Sequence, residues 1–159
     1  KEACDLIISP HAPETTDIMQ RGLMADRMVV FYDPNQRNAP TDLAEYLKAD
    51  HIALMFATGE RPGFENTLHA KGLDRRNVVT VSNFSGLPEF LRGTDMLATA
   101  PERMSAQLMR DFAWVPLPFD YKPFTLLMLW HRRHQNDPAH RWVRNQVNSV
   151  AATMNGLND

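Results

Sequence analysis

Apolar residues along this chain fall into short runs separated by polar stretches rich in Pro, Gly and Asp. Leu6-Ile7-Ile8, stopped by Ser9-Pro10, reads as a buried strand, and His11 to Gln20 as a polar loop. Met28 to Tyr32 is a second strand, ended by Asp33-Pro34. Asp42 with Glu45 gives a capping-box pattern, and Leu43, Tyr46 and Leu47 follow at helical spacing. Ile52 to Phe56 is a third strand. The turn-rich loop Thr58-Gly59-Glu60-Arg61-Pro62-Gly63 leads to Phe64, Leu68 and Lys71 at helical spacing, with Gly72 where a C-cap belongs. Val78 to Val81 is a strand by its β-branched content. Leu87, Phe90 and Leu91 make a short helix closed by Gly93, and Met96 to Ala100 is another strand, after which Pro101 suits a helix start. Ala113 to Leu117 and Phe124 to Trp130 are the last apolar runs. Asp137-Pro138 opens a final helix, with Trp142, Val143, Val147 and Val150 along one face and Trp142 and Val143 expected in the core.

Strands alternating with short helices predict an α/β fold with largely parallel pairing. Composition adds exclusions. Lys plus Arg total 17 against 19 Asp plus Glu, a net charge of -2, so the chain carries no electrostatic footprint for nucleic acid. The lone cysteine, Cys4, excludes an internal disulfide, points to a reducing compartment and is expected to lead inertly into a buried strand. No apolar run approaches the ~20 residues of a membrane span. The start, Lys1 to Asp5, has no signal-peptide pattern and reads as a boundary inside a longer protein.

Three stretches together resemble the effector domain of LysR-type transcriptional regulators. Asp5-Leu6-Ile7-Ile8, followed by Asp26 to Val30, resembles the family's "DLAI" strand and the start of its interlobe crossover. Gly93 to Arg103 resembles "TDLIATVP-x-R". Leu129 to Arg133 with Asp137 to Arg144 resembles the "WH-x-R…DPAHRWLR" ending of the branch that regulates nodulation and aromatic-compound degradation. The resemblance implies a two-lobe, periplasmic-binding-protein-like (type 2) α/β domain with the first elements of lobe I missing. Residues 1-50 and 135-159 would be the remnant of lobe I, and 51-134 lobe II. The winged helix-turn-helix that contacts DNA would lie outside this chain. The bare edge of the first strand would need a cover.

The implied function is ligand sensing by a cytoplasmic bacterial regulator, not catalysis: a small aromatic or anionic effector binds between the lobes, and a homodimer or homotetramer relays the change to DNA-binding heads. A solute-binding protein of a transport system would share the fold and is the alternative. The candidate ligand residues lie at strand ends, where open α/β sheets bind ligands. Thr58, Gly59, Arg61 and Phe64 form one loop, in which Arg61 would pair with a carboxylate; the same loop also reads as a solvated turn. Asn83 and Phe84 offer an amide and an apolar wall, or a helix cap with a core Phe. Ser9, Pro10 and Thr99 face the cleft by the resemblance, although Ser9 equally suits a turn. His131, His134 and His140 lie near Asp137, but no periodicity brings them to one point, so no metal is expected. No nucleophile or phosphate-binding motif is present, so no catalytic residue and no cofactor is assigned.

Overall fold

A computed structural model describes residues 4–55 and 63–156 of the chain. Two compact units divide it: residues 1–26 with 123–159, and residues 27–122. The chain enters and leaves the second unit once each. These bounds differ from the expected 1–50, 51–134 and 135–159. The reason lies in strand pairing: the Val29-Val30-Phe31 run hydrogen-bonds inside the second unit's sheet, and the Phe124–Trp130 run inside the first unit's.

The 27–122 unit is a five-stranded sheet of order β5-β4-β6-β3-β7. Its strands are β3 (Met28–Tyr32), β4 (Asp50–Leu54), β5 (Arg76–Val81), β6 (Leu97–Pro101) and β7 (Ala113–Pro116). Its helices are α1 (Leu43–Lys48), α2 (Gly63–Ala70) and α3 (Leu87–Leu91). Both faces are covered, which is why β3 and β6 read as continuous apolar runs rather than alternating ones. Val29, Phe31, Ile52, Ala98 and Ala100 face one side and pack with Leu87 and Leu91 of α3 and with Met109. Val30 and Leu97 face the other and pack with Tyr46 of α1. Pairing is parallel only for β4 with β5 and β6; β3 runs antiparallel to both of its neighbours. The expected parallel sheet is therefore mixed, because β3 alone runs against the direction that β4, β5, β6 and β7 share.

Local signals hold where backbone chemistry is specific. Asp42 Oδ1 accepts the Glu45 N–H at 2.8 Å, and Glu45 reaches back to the Thr41 N–H at 2.8 Å. Gly72, at φ 66°, closes α2: its N–H donates to His69 O at 3.0 Å, and the Leu73 N–H donates to Leu68 O at 3.0 Å. That pair is the Schellman arrangement, and the positive φ favours glycine there. Asp33 is buried at the end of β3 and accepts the backbone N–H groups of Gly93 (2.8 Å) and Asn35 (2.9 Å). These donors hold its carboxyl below the usual carboxylate range.

The other unit is an antiparallel sheet of order β1-β8-β2, formed by β1 (Leu6–Ser9), β2 (Ile18–Asp26) and β8 (Phe124–His131), with α4 (Pro138–Gly156) against β2. The sequence pattern hides β2: Gln20, Arg21 and Gly22 interrupt its apolar positions, and its register shifts between Gly22 and Met24. β1 lies at the sheet edge, where Ile7 and Ile8 are exposed and not buried as expected. Cys4 is exposed as well, its Sγ–H donating to Leu6 O.

Helix α4 inverts the expected packing. Arg144 and Ala151 are buried and Asn155 donates to Leu23 O, whereas Trp142 is 64% and Val150 60% exposed. Arg144 explains the inversion. Its Nη1 donates to His134 O (3.0 Å), its Nη2 to Gln135 O (2.9 Å), and its guanidinium lies 4.7 Å from the Trp130 ring centroid. Two backbone carbonyls and an aromatic face fix the helix at Arg144, leaving Val147 half-buried and turning Trp142, Val143 and Val150 toward solvent. Arg144→Ala is therefore expected to cost about 2–3 kcal/mol, since two carbonyls lose a charged donor. Val150→Ala is expected to stay within about 0.5 kcal/mol. Urea unfolding of both variants checks the order; a larger loss for Val150→Ala contradicts it.

Candidate functional site

Of the nine expected ligand residues, Thr58, Gly59 and Arg61 lie outside the described residues. The other six fall in distinct settings. Ser9 ends β1 and its Oγ accepts the His11 N–H at 3.1 Å, so it does the work of a turn residue; Pro10 beside it is exposed. Asn83 is exposed ahead of a short 3-10 turn over Phe84–Gly86. Its Oδ1 accepts the Ser85 O–H at 2.6 Å, so it does not cap the turn's backbone, and its amide nitrogen makes only a 3.5 Å contact with Ser82. Phe84 is half-buried against the core around Val81 and Leu87.

Phe64 and Thr99 are brought together, through a residue the sequence reading missed. Phe64 is buried on α2, its ring 5.1 Å from Tyr121 and 6.3 Å from Phe119. The Arg75 guanidinium lies 5.3 Å from its centroid. Arg75 Nη1 donates to Thr99 Oγ1 (3.2 Å), Tyr46 Oη (3.0 Å) and His51 Nδ1 (3.2 Å), and its Nη2 pairs with Glu65. Tyr46 and Thr99 share a 2.8 Å hydroxyl contact. α1, α2, β4 and β6 thus converge on one buried cation.

Proton counting fixes the histidine. His51 Nε2 lies 2.6 Å from Tyr46 O, which can only accept, so Nε2 carries the hydrogen. Nδ1 is then free to accept from Arg75, and the ring is neutral. Burial first, and the Arg75 charge second, hold the His51 pKa down to about 4. Burial likewise raises the Tyr46 phenol, which stays protonated. A sequence signal existed: a histidine inside the apolar run His51-Ile52-Ala53-Leu54 must find partners for both ring nitrogens. Nothing in sequence separation pointed from it to Arg75.

The histidines of the family-like ending do not gather for a metal, and among the described residues no group of three metal-ligating side chains forms. His134 and His140 stack instead, centroids 5.0 Å apart and 9° from parallel. Arg144 donates to His140 Nδ1 at 2.7 Å, so its Nε2–H donates to Asp5 O at 2.8 Å. Arg133 Nε–H donates to His134 Nε2 at 2.9 Å, and Trp130 Nε1–H to Gln135 Oε1 at 2.8 Å. Asp137 caps α4 by accepting the His140 N–H at 2.8 Å, which holds its carboxyl below the usual range. The ending is a hydrogen-bonded latch between β8, α4 and the start of β1.

Among the described residues no helix is long and apolar enough to cross a membrane. Compared with known proteins, residues 1–152 match the family described as LysR substrate binding domain. The chain is 30% identical over 160 residues to nodulation protein D 2 of Sinorhizobium fredii, a match covering 98% of this chain and 51% of that protein. It therefore spans about half the length of that relative. The regulatory domain of MexT, a transcriptional activator in Pseudomonas aeruginosa, matches with a TM-score of 0.74 at 24% identity, over 91% of this chain and 72% of that one. The effector-binding domain of QuiR in complex with shikimate matches with a TM-score of 0.66 at 16% identity, over 94% and 72%. The two-lobe, periplasmic-binding-protein-like type 2 fold expected from the resemblance is the fold of these domains.

The pH dependence of stability follows from His51. Unfolded, it titrates near 6.5; folded, it refuses the proton until about 4. The unfolded state thus binds more protons between those values, and stability falls as pH drops through that window. The loss approaches about 3 kcal/mol at its lower end, at 1.36 kcal/mol per unit. The depressed carboxylates Asp33, Asp50 and Asp137 add to the loss only below about 4. Urea midpoints at pH 7.5 and 4.5 should show the drop, and His51→Gln should flatten it; an equal slope in the variant would remove His51 as the cause.

Proposed function

The chain belongs to the LysR substrate-binding domain family, and from that premise we propose that it is the effector-sensing part of a bacterial transcriptional regulator. The observation that carries this reading is the family match over residues 1–152 on a chain whose described part forms two α/β units. The family is one of transcriptional regulators, which supports sensing over both catalysis and solute transport. A net charge of -2 supports the same division of labour, with DNA contacted by another domain of the longer protein and not by this chain.

In this reading a small molecule binds the domain and shifts the population between two arrangements only by its differential affinity for them. Self-association into a homodimer or homotetramer relays the shift to DNA-binding heads, and the regulator works in the cytoplasm. The ligand residues remain those read from sequence: Ser9, Pro10, Thr58, Gly59, Arg61, Phe64, Asn83, Phe84 and Thr99. Asn83 is the best supported, because its exposed amide nitrogen has only one long contact and is available as a donor. Phe64 and Thr99 would act from behind, since both are buried on Arg75. QuiR, which shares the fold, binds shikimate. A hydroxylated cyclic carboxylate is accordingly the first effector class to try here.

Calorimetry of the full-length regulator with shikimate and a panel of hydroxybenzoic acids tests the reading. Asn83→Ala should weaken binding of the active compound about five- to tenfold, the loss of one hydrogen bond of ~1 kcal/mol or slightly more. Unchanged affinity would remove Asn83 from the site. Separately, the 159-residue chain alone should give no sequence-dependent shift of duplex DNA in a gel, while the full-length protein does.

A further inference from the structure

A cavity of about 270 Å³ lies inside the 27–122 unit, between α2, β4 and β5. It shares no residue with the nine expected to bind effector. β4 gives it an apolar floor, and its polar lining is Glu65, His69, Asp74, Arg75, Asn77 and Thr80.

Arg75 makes this more than a void. Its side chain is only 3% exposed. Both of its terminal nitrogens have acceptors: Nη1 serves Tyr46, His51 and Thr99, and Nη2 serves Glu65. The Nε–H has no partner among the described residues. An unmet buried donor on a charged group is costly, so an acceptor oxygen delivered there is favoured.

The rest of the lining selects what carries that oxygen. Two carboxylates, Glu65 and Asp74, stand against one guanidinium, so an added anion meets net repulsion. An ammonium would satisfy the carboxylates but offers nothing to Nε–H. A hydroxyl group does both, accepting from Arg75 and donating to a carboxylate, and the Asn77 amide and Thr80 hydroxyl can each meet it from either role. The volume falls just under the ~300–1,000 Å³ of ordinary ligand pockets, which suits a compact molecule. We infer that this cavity is a second binding site, within one unit, for a small neutral polyhydroxylated molecule such as a polyol or monosaccharide.

The Nε–H of Arg75 is its own reporter in a ¹H–¹⁵N spectrum of the 159-residue chain, assigned by its loss in Arg75→Lys or, should that variant not fold, by side-chain correlation. Glycerol and glucose are the probes, with acetate and inorganic phosphate as anionic controls. Glucose should shift the Arg75 Nε–H resonance saturably, and the anions should not. Thr80→Tyr, on exposed β5, fills the cavity without touching the Arg75 contacts; it should leave the resonance in place and weaken the glucose response at least tenfold. No saturable shift with either hydroxylated probe, an undiminished response in Thr80→Tyr, or tighter binding of acetate or phosphate would each overturn the inference. So would a bound water at Nε that neither probe displaces.

Discussion

A guanidinium withdrawn from water dictates the arrangement of the larger unit. An unpaired buried cation costs several kcal/mol, so every element near Arg75 must present an acceptor or an aromatic face. α1 gives the Tyr46 hydroxyl, β4 gives His51 in one tautomer, β6 gives Thr99, and α2 gives both Glu65 and the ring of Phe64. Four elements are thereby held in register by one side chain. The constraint is directional where the surrounding apolar contacts are not. Hydrophobic burial of Val30, Leu97 and Tyr46 drives the layers together, but it would tolerate small slides that the fork of Arg75 forbids.

Arg144 solves the same problem in the other unit with different partners. Carbonyls of the turn after β8 and the face of Trp130 take the place of hydroxyls and a carboxylate. The consequence is visible in α4, which docks by the face of Arg144, Val147, Asn148 and Ala151 and shows Trp142, Val143 and Val150. The two arginines thus mark two independently specified units, each organised around a buried charge whose hydrogen bonds leave one geometry.

How much of this the sequence disclosed depended on range. Signals that act within a turn were legible: the Asp42 cap, the Gly72 terminator and the Asp137-Pro138 start all appear where read. Apolar or β-branched runs located the cores of seven of the eight strands among the described residues without reporting their direction, since a buried β3 looks alike in parallel and antiparallel company. β2 escaped because its apolar positions are broken by Gln20, Arg21 and Gly22. Ile7, Ile8, Trp142 and Val143 were misplaced for one reason: hydrophobicity says that a side chain gains by burial, not that a neighbour is present to bury it. The Arg75 cluster was illegible because its members, Tyr46, His51, Glu65 and Thr99, are scattered along the chain, and each alone is an ordinary polar residue.

The stretch that carried the family resemblance most strongly turns out to hold the structure together. The Trp130 indole, Arg133 Nε, Asp137, His140 and Arg144 are all hydrogen-bonded within this stretch or to the Asp5 carbonyl. Residues spent on a latch can recur in proteins with unrelated effectors, because the latch makes no demand on what is sensed. The motif therefore identifies the scaffold and is silent on the ligand. Discrimination between effectors has to be written in side chains with unspent hydrogen-bonding capacity, as the Asn83 amide has and as Thr99, enclosed by Tyr46 and Arg75, largely has not. In the proposed sensor, specificity would sit in the loops, and the core arginines would supply the rigidity against which a loop's preference for one ligand acts.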